Sequence, residues 1–213
     1  MRRSRRAAGF VRPDGFGDVE LYLLTQGYAV LSVDMPVVAE GGEGTLDGHV
    51  PQVVANAAAA LDAAAATGLV DRERAAVLGW SFGAAMAANL LAHSDLFDAG
   101  VAISGAYNRT LTPFGFQTER RSFWEAPDEY MAISPFVYAD RIDEPLLLLH
   151  GGADSNSGTL PMQSERMFDA LKGHGATARY VLLPHEGHEY RSRESLEHVL
   201  WEITTWLTRH VRD

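Results

Sequence analysis

The sequence contains no cysteine and no long run of apolar residues. The missing cysteine excludes disulfide bonds, thiolate nucleophiles and cysteine-ligated metal sites. No stretch of about 18 uncharged apolar residues occurs, and a membrane-spanning helix needs that length. Intrinsic disorder is also excluded as the main state, because 46% of the residues are hydrophobic. The composition is that of an ordinary soluble globular protein.

Positive charge is scarce. Lys and Arg number 18 against 28 Asp and Glu, which gives a net charge of −10 over 213 residues. Arg2, Arg3, Arg5 and Arg6 supply four of the positive charges, so residues 7–213 carry −14. A body this acidic repels phosphate backbones, which argues against binding to nucleic acid.

The basic start of the chain does not continue as a targeting signal. A secretory signal needs an apolar core, but residues 7–11 run directly into Arg12-Pro13-Asp14-Gly15. We therefore predict an irregular or disordered lead-in over residues 1–20. Cytoplasmic is the expected location, and no membrane partner is expected.

From residue 21 onward, short apolar runs alternate with longer segments of helical periodicity. The runs predict strands at 28–33, 75–79, 99–103, 145–150 and 178–183. The periodic segments predict helices over about 50–65, 82–93, 161–172 and from about 192 onward, whereas 105–140 has no long periodic run. Strands that alternate with helices predict a single α/β domain over 21–213, with a parallel sheet covered by helices on both faces.

Residues 79–83 fit the pattern G-x-S-x-G, with Ser81 at its centre. The pattern alone is weak, but here it follows a predicted strand and opens a predicted helix. That context is the strand–turn–helix of the nucleophile elbow in α/β hydrolases, where glycines suit a tight turn with crowded backbones. Ser81 is therefore the predicted nucleophile, and the alternative is a glycine-rich turn with a capping serine.

A serine nucleophile needs a base, and the base needs an acid that orients it. Asp154 lies just after one predicted strand, and His185 and His188 lie just after the next. The chain order Ser, Asp, His is that of α/β hydrolases. Spacing alone does not choose between His185 and His188.

The histidines also allow two other interpretations. His150 is the last residue of a predicted strand, next to the loop that carries Asp154, which we call the acid loop. We expect His150 to support the site and not to catalyse. His185 and His188 with Glu186 would make a small metal site, which is the weaker alternative because the ligand set is thin. The prediction is a site without metal or cofactor.

From about residue 25 to its end, the chain resembles the catalytic domain of the prolyl oligopeptidase family of serine peptidases, and most of all its glutamyl endopeptidases. Residues 104–117 carry the most specific part of the resemblance. Further matching segments are 79–84, 88–93, 150–151, Asp154, Asn156, 158–159, 162–164, 170–176, 183–186 and His188. The resemblance implies the α/β-hydrolase fold, Ser81 as nucleophile, Asp154 as orienting acid and His188 as general base.

The sequence also departs from the family pattern. His188-Glu189 stands where the family usually has His-Gly, and Gly79-Trp80 replaces a shorter lead-in to the serine. The family's N-terminal β-propeller and its first hydrolase strands are not found. We therefore expect this chain to be the C-terminal part of a longer enzyme.

The expected oxyanion hole is incomplete in the sequence. The backbone N–H of Phe82 is the first donor, and the second donor would follow one of the missing strands. Loss of one such donor costs about 10²–10³ in turnover. We therefore expect low turnover from the isolated chain.

The glutamyl endopeptidase resemblance implies a cation that receives the substrate glutamate. Arg109 is the basic residue in the loop after 99–103, and an Arg fork matches a carboxylate. The alternative is that Arg109 pairs with a surface acid. Tyr107 is a candidate wall of the same pocket, and the competing cations are Arg120, Arg121, Arg191 and Arg193.

The predicted function is hydrolysis of peptide bonds through a Ser-Asp-His triad, with a preference for Glu before the scissile bond. One alternative is a carboxylesterase-like serine hydrolase, since the triad residues do not distinguish esters from amides. Another is an inactive fragment, and an open sheet edge would then favour self-association. The expected partner is a peptide substrate.

Overall fold

The computed structural model describes residues 17–33 and 35–212. One parallel sheet has the spatial order β1-β2-β3-β4, which is also the order along the chain. Its strands are β1 (Ala76–Trp80), β2 (Ala99–Ile103), β3 (Leu146–Gly151) and β4 (Ala178–Leu183). The apolar runs thus predicted these four strands to within one residue at either end.

Helices connect the strands and cover the sheet. They are α1 (Gly17–Thr25), α2 (His49–Ala65), α3 (Phe82–His93), α4 (Pro127–Ala132), α5 (Met162–Gly173) and α6 (Arg193–Leu207). Short 3₁₀ helices cover Arg109–Leu111 and Pro135–Arg141, and a π-helical turn, Thr208–Arg212, follows α6. The connection 105–140 is therefore built from short helical pieces, consistent with its lack of periodicity.

Two apolar layers flank the sheet, because successive side chains of a strand point to opposite faces. Leu147 and Leu149 pack in the layer that α1 and α6 cover. Leu146 and Leu148 pack in the opposite layer, which α3 and α5 cover. All six residues of β3 are buried, as expected for an inner strand with helices on both sides. The architecture is that of an α/β-hydrolase sheet.

Residues 28–33 do not form the strand that their apolar pattern predicted. Tyr28 and Val30 pack against the layer under α6, whereas residues 31–33 are exposed. A strand needs a hydrogen-bonded neighbour, and no described residue pairs with this segment in a sheet. The pattern identified a segment that contacts the core, but the strand prediction is wrong.

The predicted lead-in falls mostly on residues 1–16, which lie outside the described residues. Its last four residues belong to α1, so the boundary predicted at residue 21 falls inside a helix. Val19 and Leu23 of this helix are buried in the core. Among the described residues, no helix is both long enough and apolar enough to cross a membrane.

Candidate active site

Ser81 occupies a sharp turn between β1 and α3. Its φ of 57° and ψ of −118° lie in a region that residues other than glycine rarely adopt. Its N–H donates to the carbonyl of Ile103 at the end of β2, which fixes the turn to the neighbouring strand (2.8 Å). The hydroxyl is thereby presented at the carboxyl edge of the sheet, at the N-terminus of α3.

The two glycines of the turn have different surroundings. A Cβ on Gly79 would lie 2.0 Å from the carbonyl oxygen of Gly83, whereas a Cβ on Gly83 would have nothing within 4 Å. Only Gly79 therefore allows the close approach of β1 and α3. The sequence pattern treats both glycines alike and cannot show this difference.

Ser81, His188 and Asp154 form one hydrogen-bonded chain. The Oγ of Ser81 lies 2.9 Å from Nε2 of His188, and Nδ1 of His188 lies 2.8 Å from Oδ2 of Asp154. Asp154 lies in the loop after β3 and His188 in the loop after β4, so parallel strands bring all three groups to one edge of the sheet. His185 is exposed, and it is His188 that the structure brings to the serine.

The Asp154 carboxylate is buried but well supplied with hydrogen-bond donors. The side chain has no exposed surface. The backbone N–H of Asn156 donates to Oδ1 (2.9 Å), and the hydroxyl of Thr159 donates to Oδ2 (3.1 Å). These donors stabilise the charge that burial alone would disfavour.

His150 lies behind Asp154 and is completely buried. Its Nε2 lies 2.7 Å from the carbonyl oxygen of Thr159 and 3.2 Å from Oδ2 of Asp154. Both partners are acceptors, so Nε2 carries the proton and Nδ1 accepts from the hydroxyl of Ser164 (2.6 Å). Burial lowers the pKa of His150, which favours the neutral ring. Its position fits the supporting role predicted from the sequence.

Trp80 contacts the histidine from the other side. The indole and imidazole ring centroids are 4.9 Å apart, and the indole N–H donates to the backbone carbonyl of His188 (3.1 Å). The residue before Ser81 thus also holds His188 in place. In the sequence, Trp80 stands out only as a departure from the family pattern, since nothing local links it to residue 188.

Phe82 is the first residue of α3. The backbone N–H groups in the first turn of a helix have no intrahelical acceptor, and the N-terminus carries a partial positive charge. The N–H of Phe82 therefore has the character needed of an oxyanion donor beside Ser81.

Arg109 is 2% exposed and lies in the loop after β2. Its guanidinium carbon lies 5.0 Å from the ring centroid of Phe116, and Nη2 donates to the Phe116 carbonyl (3.0 Å). Nε and Nη1 are buried and have no hydrogen-bond partner among the described residues. Burial lowers the pKa of Arg109, although Tyr130 and Glu119 favour its charge.

The residues around Arg109 contact the loop that carries Asp154. A Cβ on Gly158 would lie 2.4 Å from the ring of Phe116, so this ring lies against the loop that carries Asp154 and Thr159. Gln163 joins the same two loops, since its side chain bonds to the backbone of both Asn108 and Gly158. Arg109 thus contacts Phe116, and Phe116 in turn contacts the acid loop.

The other proposed pocket residues are placed differently. Tyr107 is completely buried and packs in the layer under α3 and α5. Its contact with substrate stays a prediction. Arg121 pairs with Asp47 and Glu119, and Arg191 and Arg193 pair with Glu189 and Glu197.

Comparisons with known proteins agree with this geometry. Two proteins called probable chloroplastic glutamyl endopeptidases match 98% of the chain, with 51% identity in Arabidopsis thaliana and 50% in Oryza sativa subsp. japonica. The chain spans 22% and 23% of their lengths. A solved Mycobacterium tuberculosis puromycin-hydrolyzing peptidase superposes with a TM-score of 0.67 and 25% identity, over 75% of this chain and 25% of that one.

The sequence model of the prolyl oligopeptidase family matches residues 16–213, which include every element described above. The triad order, the elbow and the parallel sheet are consistent with that match. The chain therefore belongs to the prolyl oligopeptidase family of serine peptidases.

Proposed function

We propose that this chain is the catalytic part of a serine peptidase that hydrolyses peptide bonds through an acyl-enzyme on Ser81. The observation that carries the proposal is the hydrogen-bonded chain from Ser81 through His188 to Asp154, with distances of 2.9 and 2.8 Å. Geometry of this kind activates a serine hydroxyl, because the base lies within reach of the proton it removes.

The reaction proceeds in two halves. As Oγ of Ser81 attacks the carbonyl carbon, Nε2 of His188 takes the serine proton, and the ionised Asp154 stabilises the imidazolium that forms. The N–H of Phe82 donates to the oxyanion. His188 then gives its proton to the leaving amine as the C–N bond breaks. Water repeats the sequence on the acyl-enzyme and releases the carboxylic acid and free Ser81.

A preference for glutamate before the scissile bond is supported by Arg109. Two buried nitrogens of its guanidinium lack partners among the described residues, and unsatisfied buried donors are costly. A substrate carboxylate that accepts from Nη1 would satisfy one of these donors with a charge-assisted hydrogen bond. The names of the Arabidopsis and rice relatives suggest the same preference.

Fluorophosphonate labelling tests the proposal, because the reagent reacts covalently with activated serines. We expect the purified chain to be labelled at Ser81 and the S81A variant not to be labelled, with unchanged circular dichroism. Labelling that persists in S81A, or no labelling of a folded sample, would contradict the proposal. Cleavage of activated esters without cleavage of peptides would instead favour the carboxylesterase-like alternative.

A further inference from the structure

Glu186 is a buried carboxylate that the proposed chemistry does not use. It lies in the loop between β4 and α6 and is 5% exposed. Oε2 accepts from the backbone N–H of Arg191 (2.7 Å), and Oε1 accepts from the backbone N–H (3.0 Å) and the hydroxyl of Ser192. All of these donors lie five or six residues further along the chain.

These bonds join the two ends of the chain segment 186–192. His188 belongs to this segment and lies two residues after Glu186. With both of its ends fixed to one carboxylate, this segment has few conformations left, which restricts where the imidazole of His188 can lie. We call residues 186–192 the histidine loop.

The backbone of Glu186 also joins the histidine loop to the acid loop. The N–H of Ala153 donates to the Glu186 carbonyl (2.8 Å), and Ala153 directly precedes Asp154. The two loops are in close contact, since a Cβ on Gly151 would lie 2.1 Å from the carbonyl oxygen of Gly187. Glu186 therefore fixes the histidine loop at the point where that loop meets the acid.

The three donors around the Glu186 side chain favour an ionised carboxylate. Burial opposes ionisation, but the donors from Ser192 and Arg191 outweigh it and lower the pKa of Glu186 to about 2. The partial positive charge at the N-terminus of α6 adds to this stabilisation. A glutamine could supply only one acceptor oxygen and would place N–H groups against the N–H donors of the loop.

We infer that Glu186 is a positioning residue for His188: its carboxylate fixes the histidine loop so that Nε2 of His188 lies within hydrogen-bond distance of Ser81. The inference rests on the proposed function. The competing explanation is that Glu186 only strengthens the start of α6, where Ser192 is the N-cap residue. In that case its loss would lower stability but leave the reactivity of folded molecules unchanged.

Glu186→Gln tests the inference, with Glu202→Gln as the matched control. Glu202 is a buried carboxylate on α6, but it pairs with Arg179 and has no bond to the histidine loop. We expect E186Q to lower the rate constant of Ser81 labelling at least tenfold, with kcat falling and KM little changed. E202Q should label at close to the wild-type rate under conditions where both variants are folded.

Ser192→Ala separates the two explanations further. It removes the N-cap hydroxyl, which is also one of the three donors to Glu186, but keeps both backbone N–H donors, so we expect lower stability and a labelling rate much closer to wild type than that of E186Q. If S192A loses reactivity as E186Q does, the effect belongs to the helix cap and the inference is overturned. Equal labelling rates for E186Q and E202Q would overturn it as well.

Amide hydrogen exchange, measured by mass spectrometry, gives a readout that does not need activity. In E186Q we expect faster exchange within residues 186–192 and unchanged exchange in β3 and β4. If the wild-type chain is not labelled at all, the proposed function fails, while the exchange comparison still tests the loop. Unchanged exchange of the histidine loop in E186Q would overturn the inference in either case.

Discussion

Arg109 is as deeply buried as the apolar core, yet a guanidinium keeps its charge in almost any surroundings. Its ring contact and single hydrogen bond to Phe116 leave Nε and Nη1 without a partner among the described residues. A buried cation with unused donors is destabilising by itself. A bound carboxylate would relieve this cost, which is the basis of the proposed preference for glutamate.

We predict that Arg109→Gln lowers kcat/KM for cleavage after Glu by roughly 10- to 100-fold, the range expected for losing a charge-assisted hydrogen bond. Cleavage after Ala should change much less, because an alanine side chain has no carboxylate. Peptide pairs that differ only at this position provide the measurement. Arg121→Gln is the control, since Arg121 is held by Asp47 and Glu119. Equal losses for Glu and Ala substrates would remove Arg109 from the specificity pocket.

The turn between β1 and α3 depends on the close contact of a single glycine with the helix. Because a Cβ on Gly79 would overlap the carbonyl of Gly83, a larger residue must push the helix away from the strand. Gly83 lies within the first turn of α3, where its neighbours leave open space. The two positions should therefore respond in opposite directions to the same substitution.

We predict that Gly79→Ala lowers the free energy of unfolding by about 1–3 kcal/mol, the usual range for overpacking. Gly83→Ala should leave it unchanged or raise it by about 0.5–1 kcal/mol, because alanine is the better helix former. Urea unfolding followed by circular dichroism measures both. A large loss of stability in the Gly83 variant would show that the space beside it is needed.

The pattern of apolar residues predicted α2, α3, α5, α6 and the four paired strands, but it failed at residues 28–33, where a strand would need a neighbouring strand to pair with. The four paired strands and α3 follow from apolar runs and from the G-x-S-x-G turn. Residues 28–33 carry the same kind of run, but a strand also needs a neighbour, which a run cannot supply. The bond of Trp80 to His188 and the bonds of Glu186 to residues 191 and 192 were not predicted either, because they depend on three-dimensional proximity.

For the whole molecule, buried titratable groups make stability depend on pH in two ranges. Burial lowers the pKa of His150 from 6.5, so the neutral ring stabilises the fold above that pH, and the contribution is lost as the pH falls below it. The pKa of Glu186 is lowered from 4.5 to about 2 despite its burial. Its contribution is complete above about pH 4.5 and is lost as the pH falls towards 2.

We therefore predict that the free energy of unfolding declines first below pH 6.5 and again below pH 4.5. In the lower range, the stability difference between wild type and E186Q should shrink, by on the order of 2–3 kcal/mol if the whole range is covered. Urea unfolding at pH 7, 5.5 and 3 measures both effects. A wild-type advantage that stays constant down to pH 3 would contradict the assignment for Glu186.

The side of β1 that faces away from β2 is the sheet edge at which self-association is predicted. Among the described residues β1 pairs only with β2, and Leu78 of this strand is 40% exposed. Self-association through this edge stays a prediction, as does the cytoplasmic location.

The triad draws its members from both ends of the described sheet. Ser81 follows β1 and His188 follows β4, 107 residues apart, while Asp154 follows β3 between them. Their hydrogen bonds can form only when all the strands are paired in the native order. A reagent that reacts only with the activated Ser81 would consequently label native molecules and leave unfolded ones unlabelled. The labelled fraction of a sample would then measure how much of it has folded.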